Sequence, residues 1–196
     1  MVAGPADLEV RPARASDEAA LGALFLRSDC ACYCQYWTFP GDHRDWQLRM
    51  ATAPQENARG LRQGLESGEL RGVLAQRDGV AVGWSRLSDA SELGRLYGGR
   101  LYKGLPCFDG DRTAIMTIGC LLVDPAYRRQ GVARALITAQ LDYARVLGAR
   151  AVEAFPRGSL DVSDGEQWMG PLPIYTELGF GLAHDFPPYP VLRKHL

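Results

Sequence analysis

One stretch of the 196-residue chain decides the fold. It runs from Leu121 to Arg134 and reads Leu-Leu-Val-Asp-Pro-Ala-Tyr-Arg-Arg-Gln-Gly-Val-Ala-Arg. The run 114–123 is rich in β-forming residues and is the best candidate for a central strand. From Val132 onward, apolar residues recur at spacings of three and four until Gly148, which predicts an amphipathic helix. A buried strand that turns directly into a long helix places unpaired helical amides, and the positive end of the helix dipole, beside the strand end.

The residues at this junction favour an anion. We call the segment Arg128–Arg134 the cradle. Its Gly131 and small Ala133 leave the backbone accessible, and its three arginines add positive charge. We therefore predict a phosphate or pyrophosphate site, although a simple strand-to-helix turn with solvated arginines would need the same glycine. Neither the P-loop pattern nor the dinucleotide-binding glycine pattern occurs.

Composition excludes several classes of protein. The 22 basic and 23 acidic side chains give a net charge of −1 without blocks of like charge, which disfavours a nucleic-acid or membrane-surface partner. The longest apolar run, Ala19 to Leu26, is too short to span a membrane, and Met1 to Asp7 lacks the features of an export signal. We expect one cytoplasmic domain over residues 1–196. The odd count of 5 cysteines, without zinc spacing, indicates reduced thiols and no metal.

The remaining helices and strands are predicted from hydrophobic periodicity and from the residues that typically begin, end or interrupt such elements. Ser16 is the expected N-cap of a first helix, and the segments Thr38–Asp42 and Ser88–Arg112 have the composition of loops. Helices are also predicted from Pro54 to Gly68 and over Ile174–Leu178. The predicted outer strands are Leu8–Pro12, Arg71–Gln76, Val80–Leu87, Ala149–Phe155, Phe180–Phe186 and Tyr189–Lys194.

Three motifs together resemble one family. The run Arg128–Ala133 is similar to the [Arg/Gln]-x-x-Gly-x-[Gly/Ala] signature of the GNAT superfamily of acyl-CoA N-acyltransferases. Val123–Pro125 before it, and Tyr175–Phe180 after it, resemble further family segments in the family's order, the latter as Tyr-x-x-x-Gly-Phe. Cys32–Trp37 also resembles a Cys-Trp-Cys-x-Tyr-Trp segment of a bacterial GNAT subgroup.

The resemblance implies a GNAT-like α/β fold. This is a mixed, mostly antiparallel sheet of about seven strands with helices on both faces and splayed central strands. The pantetheine arm of acetyl-CoA would lie in the gap, and one backbone amide of the longer strand would polarise the thioester carbonyl. The residues expected to hold acetyl-CoA are Leu121, Leu122, Val123, Arg128, Arg129, Gln130, Gly131, Val132, Ala133 and Arg134.

The resemblance also suggests catalytic residues. Tyr175 matches the family tyrosine that gives a proton to the leaving thiolate, although an aromatic residue that only packs the last helix would look the same. Glu153 lies in the strand that borders the cleft and is the candidate general base, with a pKa raised by burial. An outward-facing or salt-bridged carboxylate is the alternative, and ordered water would remove the need for a protein base. His43 is a weaker candidate.

Cys34, Tyr36 and Trp37 are predicted to wall the acceptor pocket, because this region follows the first helix and borders that pocket in the family fold. The alternative is that these side chains fill core between helices. The predicted function is transfer of the acetyl group of acetyl-CoA to an amine of a small molecule or peptide, directly in a ternary complex. A CoA-binding regulatory module of the same fold is the rival, and pairing of terminal strands would allow a homodimer.

Overall fold

Seven strands form one sheet in the computed structural model of this chain, which describes residues 8–158 and 168–196. The sheet order is β1-β2-β3-β4-β5-β7-β6, and β4 with β5 is the parallel pair, whereas the other described pairs are antiparallel. The strands are β1 (Leu8–Pro12), β2 (Arg71–Arg77), β3 (Val80–Asp89), β4 (Ile115–Val123), β5 (Ala151–Ala154), β6 (Gly181–His184) and β7 (Val191–His195).

Helices cover both faces of this sheet. They are α1 (Glu18–Arg27), α2 (His43–Thr52), α3 (Pro54–Ser67), α4 (Gly94–Tyr97), α5 (Val132–Val146) and α6 (Leu172–Glu177). Strand β3 shows how the two cores are separated, because its side chains alternate between faces. Leu87 belongs to the core cluster that includes Leu136 of α5, whereas Trp84, three residues earlier and on the other face, packs with Leu24 of α1 and Leu61 of α3. The predicted mixed, mostly antiparallel sheet with helices on both faces is therefore confirmed.

The central strands part as predicted. Strands β4 and β5 pair only from Ile115 to Thr117, opposite Ala151 to Glu153. Beyond Thr117, β4 continues to Val123 while β5 diverges. The register against β3 also shifts at Gly119, which is the extra residue of a β-bulge. The strand edge from Ile118 to Val123 therefore faces a gap rather than a neighbouring strand.

One sequence prediction about helices is wrong, and one helix was not predicted. Ser16 does not cap α1, since the carboxylate of Asp17 receives the Arg14 amide at 2.8 Å and tightens a 3-10 turn ahead of the helix. Helix α2 was not predicted, because its composition is polar and Trp46 is its one buried residue. It begins instead on a capping box between Asp42 and the third helical residue.

The segment expected as one loop between β3 and β4 also holds short helices. The one-turn helix α4 lies there, held by the buried side chain of Leu96. Within residues 8–158 and 168–196, the helices lack the combined length and apolar character that a membrane crossing requires.

Candidate active site

The start of α5 is shaped to leave its backbone open. Asp124 accepts the Ala126 amide at 3.0 Å and pairs with Arg27 at 2.9 Å, which fixes the turn after β4. Gly131 then stands at the helix N-cap with φ of 83°, a left-handed conformation that suits glycine. A Cβ added at Gly131 would meet no heavy atom within 4 Å, so the space in front of the helix is open. The first backbone bond across the helix start is donated by the Ala135 amide.

A large cavity of about 1090 Å³ opens at this helix start. One wall is the free edge of β4, another is the cradle, and a third is the loop after α1 together with residues 171–174. The described lining carries several arginines, including Arg157, against one carboxylate, Asp29. The cavity is therefore electropositive at the end of a helix dipole, which suits a phosphate-bearing ligand.

The structure brings most of the predicted cofactor residues to this cavity. Its lining includes Leu121, Leu122, Val123, Arg128, Arg129, Gly131, Val132, Ala133 and Arg134. Gln130 is the exception, because it lies outside the described lining, and its predicted role in cofactor binding stays a prediction. Its side chain accepts from Arg77 at 2.7 Å and donates to the Ala126 carbonyl at 3.0 Å, so it closes the outer side of the turn. Arg134 is held by an ion pair with Glu177.

The backbone edge of β4 already has two partners inside the chain. The Leu121 amide donates to the Trp168 carbonyl at 2.8 Å. The Gly119 carbonyl accepts from the indole nitrogen of Trp37 at 2.6 Å. The indole rings of Trp37 and Trp168 also contact each other, with 5.5 Å between ring centroids. The two residues that bond to the β4 edge therefore form one aromatic pair beside it. A ligand arm that pairs with Leu121 must displace the Trp168 carbonyl. Sequence reasoning missed Trp168, because nothing periodic surrounds it.

Tyr175 lies in the core and outside the described lining of both cavities. Its side chain is fully buried, packs edge-on against Phe180, and donates its hydroxyl to the Met169 carbonyl at 2.8 Å. Burial raises the pKa of the Tyr175 phenol. Other residues of α6, such as Leu172 and Ile174, line the large cavity instead. The predicted role of proton donor stays a prediction, and it requires the hydroxyl to exchange its partner.

Glu153 does not have the raised pKa that the sequence suggested. It is fully buried, and although burial alone raises its pKa, hydrogen bonds from Arg112, Tyr97 and Arg193 lower it overall. Arg112 binds both carboxylate oxygens at 2.8 Å, Arg193 binds one at 2.5 Å, and Tyr97 donates at 2.5 Å. Glu153 is absent from the described lining of both cavities. This geometry matches the salt-bridged alternative and argues against a general base.

A smaller cavity of about 420 Å³ adjoins the large one. The two share Tyr36, Arg157 and Trp168 as lining residues, so they meet at that point. Trp37 also lines the smaller cavity, and its role as a wall of the acceptor pocket stays a prediction. Its other described walls are Arg95, Leu96, Gly99, Arg100, Leu101, Tyr102, Phe155, Met169 and Tyr189.

Cys34 was predicted on a pocket wall, and this prediction is wrong. Its side chain is 3% exposed, and its sulfur accepts from the indole nitrogen of Trp84 at 3.0 Å. Left-handed backbone at Tyr33 and Cys34 turns this side chain into the core between α1 and α3. Cys30 and Cys32 face the large cavity in its place.

Comparison with known proteins agrees with this architecture. The sequence model of the acetyltransferase (GNAT) family matches residues 31–161. An N-acetyltransferase from Staphylococcus aureus Mu50 has a TM-score of 0.56 and 13% identity, with 96% of this chain and 98% of that chain covered. PaiA N-acetyltransferase from Thermoplasma acidophilum, in complex with coenzyme A, has a TM-score of 0.55 and 11% identity, covering 97% and 99%.

A third structure, yncA from Salmonella typhimurium with its cofactor acetyl-CoA, has a TM-score of 0.56 and 13% identity, covering 97% of this chain and 94% of that chain. At these identities the likeness establishes the fold. No curated protein matches the chain. The family match extends over more than half of the chain and includes the cradle, the parted strands and most of the lining of the large cavity. The chain therefore belongs to the GNAT acetyltransferase family.

Proposed function

We propose that this protein is an N-acetyltransferase that moves the acetyl group of acetyl-CoA to an amine of a small molecule or peptide, directly within a ternary complex. One observation carries the proposal: the edge of β4 that faces no neighbouring strand leads into the open start of α5 along one electropositive cavity. The edge of β4 offers backbone hydrogen-bonding groups to an extended arm. The start of α5 offers backbone amides to a pyrophosphate.

The residues present fit acetyl-CoA. The amides around Gly131 would receive the pyrophosphate, because no side chain fills the space before them. Arg128 and Arg129 would add formal charge, while the β4 edge would pair with the arm. When bound, acetyl-CoA supplies an acetyl group activated as a thioester. The Leu121 amide, once released from Trp168, would donate to the carbonyl oxygen on which negative charge develops.

The smaller cavity is the proposed acceptor site. It meets the large cavity at Tyr36 and Trp168, which would bring an amine in the one against an acyl group in the other. Its described lining includes no carboxylate and no histidine. We propose that the amine loses its proton to water rather than to a protein base.

Tyr175 is proposed to assist the leaving group. A phenol with a raised pKa keeps its proton at neutral pH, and a thiol is ordinarily the stronger acid. The Tyr175 hydroxyl would therefore stabilise a thiolate mainly by donating a hydrogen bond to it. To reach the sulfur, the Tyr175 hydroxyl would leave the Met169 carbonyl. This change would accompany displacement of the Trp168 carbonyl from the Leu121 amide, because Trp168 and Met169 are adjacent in the chain.

Calorimetry with acetyl-CoA tests the cradle, and the chain supplies a matched control. Gly131 and Gly148 stand at opposite ends of α5 with φ of 83° and 78°, and both face open space. Gly131→Trp and Gly148→Trp therefore impose similar backbone strain, but only the first fills the cavity. We expect Gly131→Trp to weaken binding by about tenfold or more, roughly 1.4 kcal/mol, and Gly148→Trp to leave it unchanged. Equal affinity in the two variants would overturn the cradle assignment.

A second candidate is a CoA-binding module without efficient transfer. The specific observation in its favour is that carbonyls of Trp168 and Met169 occupy the Leu121 amide and the Tyr175 hydroxyl. A thiol-release assay over polyamines, amino acids, aminoglycosides and peptide N-termini separates the candidates. Thiol release with any amine, abolished by Gly131→Trp, favours the enzyme. Silence across the panel with intact acetyl-CoA binding favours the module.

A further inference from the structure

Two thiols lie side by side on the wall of the large cavity. The sulfur atoms of Cys30 and Cys32 are 3.4 Å apart, and both side chains are half-buried. Both residues belong to the described lining of the cavity that holds the cradle. The remaining cysteines differ in burial or position: Cys34 is buried, Cys120 lines the same cavity but is itself buried, and Cys107 lies outside the described lining of both cavities.

The loop after α1 holds the two thiols together. The Cys30 amide donates to the Phe25 carbonyl at 2.9 Å, which ties the loop to the end of the helix. The Cys32 carbonyl accepts from the Gln35 amide at 2.9 Å, which closes the following turn. Tyr33 between these contacts stacks on Phe25 with 4.9 Å between ring centroids. The pair is therefore anchored on both sides, and forming a bond between the sulfurs requires only a small local approach.

The two thiols are not equivalent. The hydrogen bond between the two sulfurs, together with one from the Cys32 backbone, lowers the pKa of Cys30 to about 7 despite its burial. The same hydrogen bond raises the pKa of Cys32 well above its ordinary value. Near neutral pH, Cys30 is therefore the thiolate that attacks, while Cys32 keeps its proton until a second step needs it.

We propose that Cys30 and Cys32 form a thiol–disulfide exchange site whose substrate is the disulfide of coenzyme A. The preference for that disulfide rests on the proposed function, because the shared cavity would hold its phosphates at the cradle while its sulfurs reach the loop. The exchange chemistry itself rests on the sulfur pair alone.

The proposed exchange has two balanced steps. The Cys30 thiolate attacks one sulfur of CoA disulfide, which forms a Cys30–CoA mixed disulfide and releases one CoA thiolate. Cys32 then loses its proton to water and attacks Cys30, which forms the Cys30–Cys32 disulfide and releases the second CoA thiolate. Both thiolates take protons from water. The protein dithiol is oxidised by two electrons, and one disulfide is reduced to two thiols. An added dithiol such as dithiothreitol returns the protein to its starting state.

Intact-mass spectrometry of the full chain tests the proposal. The reduced protein is incubated with CoA disulfide and, in parallel, with glutathione disulfide. We expect the wild type to lose two hydrogen masses and release two thiols per chain, at least about tenfold faster with CoA disulfide. Cys32→Ser should stop with one CoA attached. Cys30→Ser should react about tenfold more slowly or worse, whereas the control Cys107→Ser should behave like the wild type.

The outcomes separate the two proposals. Reaction of Cys30→Ser at the wild-type rate, or modification of Cys107 in preference, would overturn the exchange site while calorimetry still reports acetyl-CoA binding. Equal rates with the two disulfides would overturn the preference for coenzyme A. If calorimetry on the same protein then shows no acetyl-CoA binding, the proposed function has failed, but a Cys30–Cys32 disulfide formed with glutathione disulfide would still support the exchange site.

Discussion

The two ends of the β4–β5 pair differ in how they satisfy their polar groups. At the paired end, the Glu153 carboxylate is surrounded by Arg112, Arg193 and Tyr97, and the Tyr97 hydroxyl also contacts Thr117 at 2.6 Å. At the parted end, a backbone amide and carbonyl of β4 face the gap. Glu153, the buried charged residue beside the point where β4 and β5 separate, is therefore structural. The proposed chemistry depends instead on backbone groups of β4 beyond that point.

The largest expected effect breaks the paired end. Glu153→Gln removes the fully buried charge that neutralises two half-buried arginines, so we expect a loss of about 3–5 kcal/mol in the free energy of unfolding. Urea denaturation measures it. The control Asp142→Asn breaks the exposed pair with Arg145 and should cost less than about 1 kcal/mol. Similar losses in the free energy of unfolding of the two variants would show that the contacts of Glu153 do not stabilise the fold more than an exposed ion pair does.

The pH dependence gives a second readout of the same variant. Because the pKa of Glu153 is lowered in the folded state, its stabilisation is present above the unfolded pKa, about 4.3, and is lost as the pH falls through the folded pKa. The wild type should therefore lose stability below about pH 4 more steeply than Glu153→Gln does. Parallel stability curves in acid would contradict the lowered pKa.

Two tyrosines sharpen the comparison, the partly buried Tyr97 at the paired end and the fully buried Tyr175 at the parted end. Tyr97→Phe leaves Glu153 without one of its donors, so we expect a loss of about 1–3 kcal/mol in the free energy of unfolding. Turnover per folded chain should stay within about twofold of the wild type, because Tyr97 lines neither cavity. Urea denaturation and steady-state kinetics on the same sample check both values. A tenfold fall in turnover would place the paired end in the mechanism.

Tyr175→Phe should give the opposite result. We expect turnover to fall by about tenfold, or roughly 1.4 kcal/mol, with little change in acetyl-CoA affinity, because the hydroxyl acts only as the thiolate leaves. Kinetics with saturating acetyl-CoA, paired with calorimetry, separates the two quantities. Unchanged turnover across the pH range would leave Tyr175 as a packing residue of α6.

The sequence predicted those parts of the molecule that have local signals. The long apolar run of β4, the periodicity of α5 and the glycine between them fixed the central motif, and nine of the predicted cofactor residues reached one cavity. Helix α2 escaped prediction because it is polar and is held by a capping box rather than by a buried stripe.

The environment of Glu153 had no local signal. A Val-Glu-Ala strand is the same sequence whether its carboxylate faces a cleft or two arginines, and those arginines lie 41 and 40 residues away in the chain. Cys30 and Cys32 line the cavity, whereas the predicted Cys34 does not. This difference depends on residues with left-handed backbone conformation, which no periodicity in the sequence reveals. Long-range partners and local backbone turns are therefore what separated the predicted site from the observed one.

The central claim is that the parted end of β4 and the start of α5 form one binding surface for acetyl-CoA. A crystal structure of the complex tests it most directly. We expect the pyrophosphate on the amides of the cradle, the thioester carbonyl on the Leu121 amide, and the Trp168 carbonyl displaced from that amide. Acetyl-CoA bound away from the start of α5, or bound with the Leu121–Trp168 hydrogen bond intact, would contradict it.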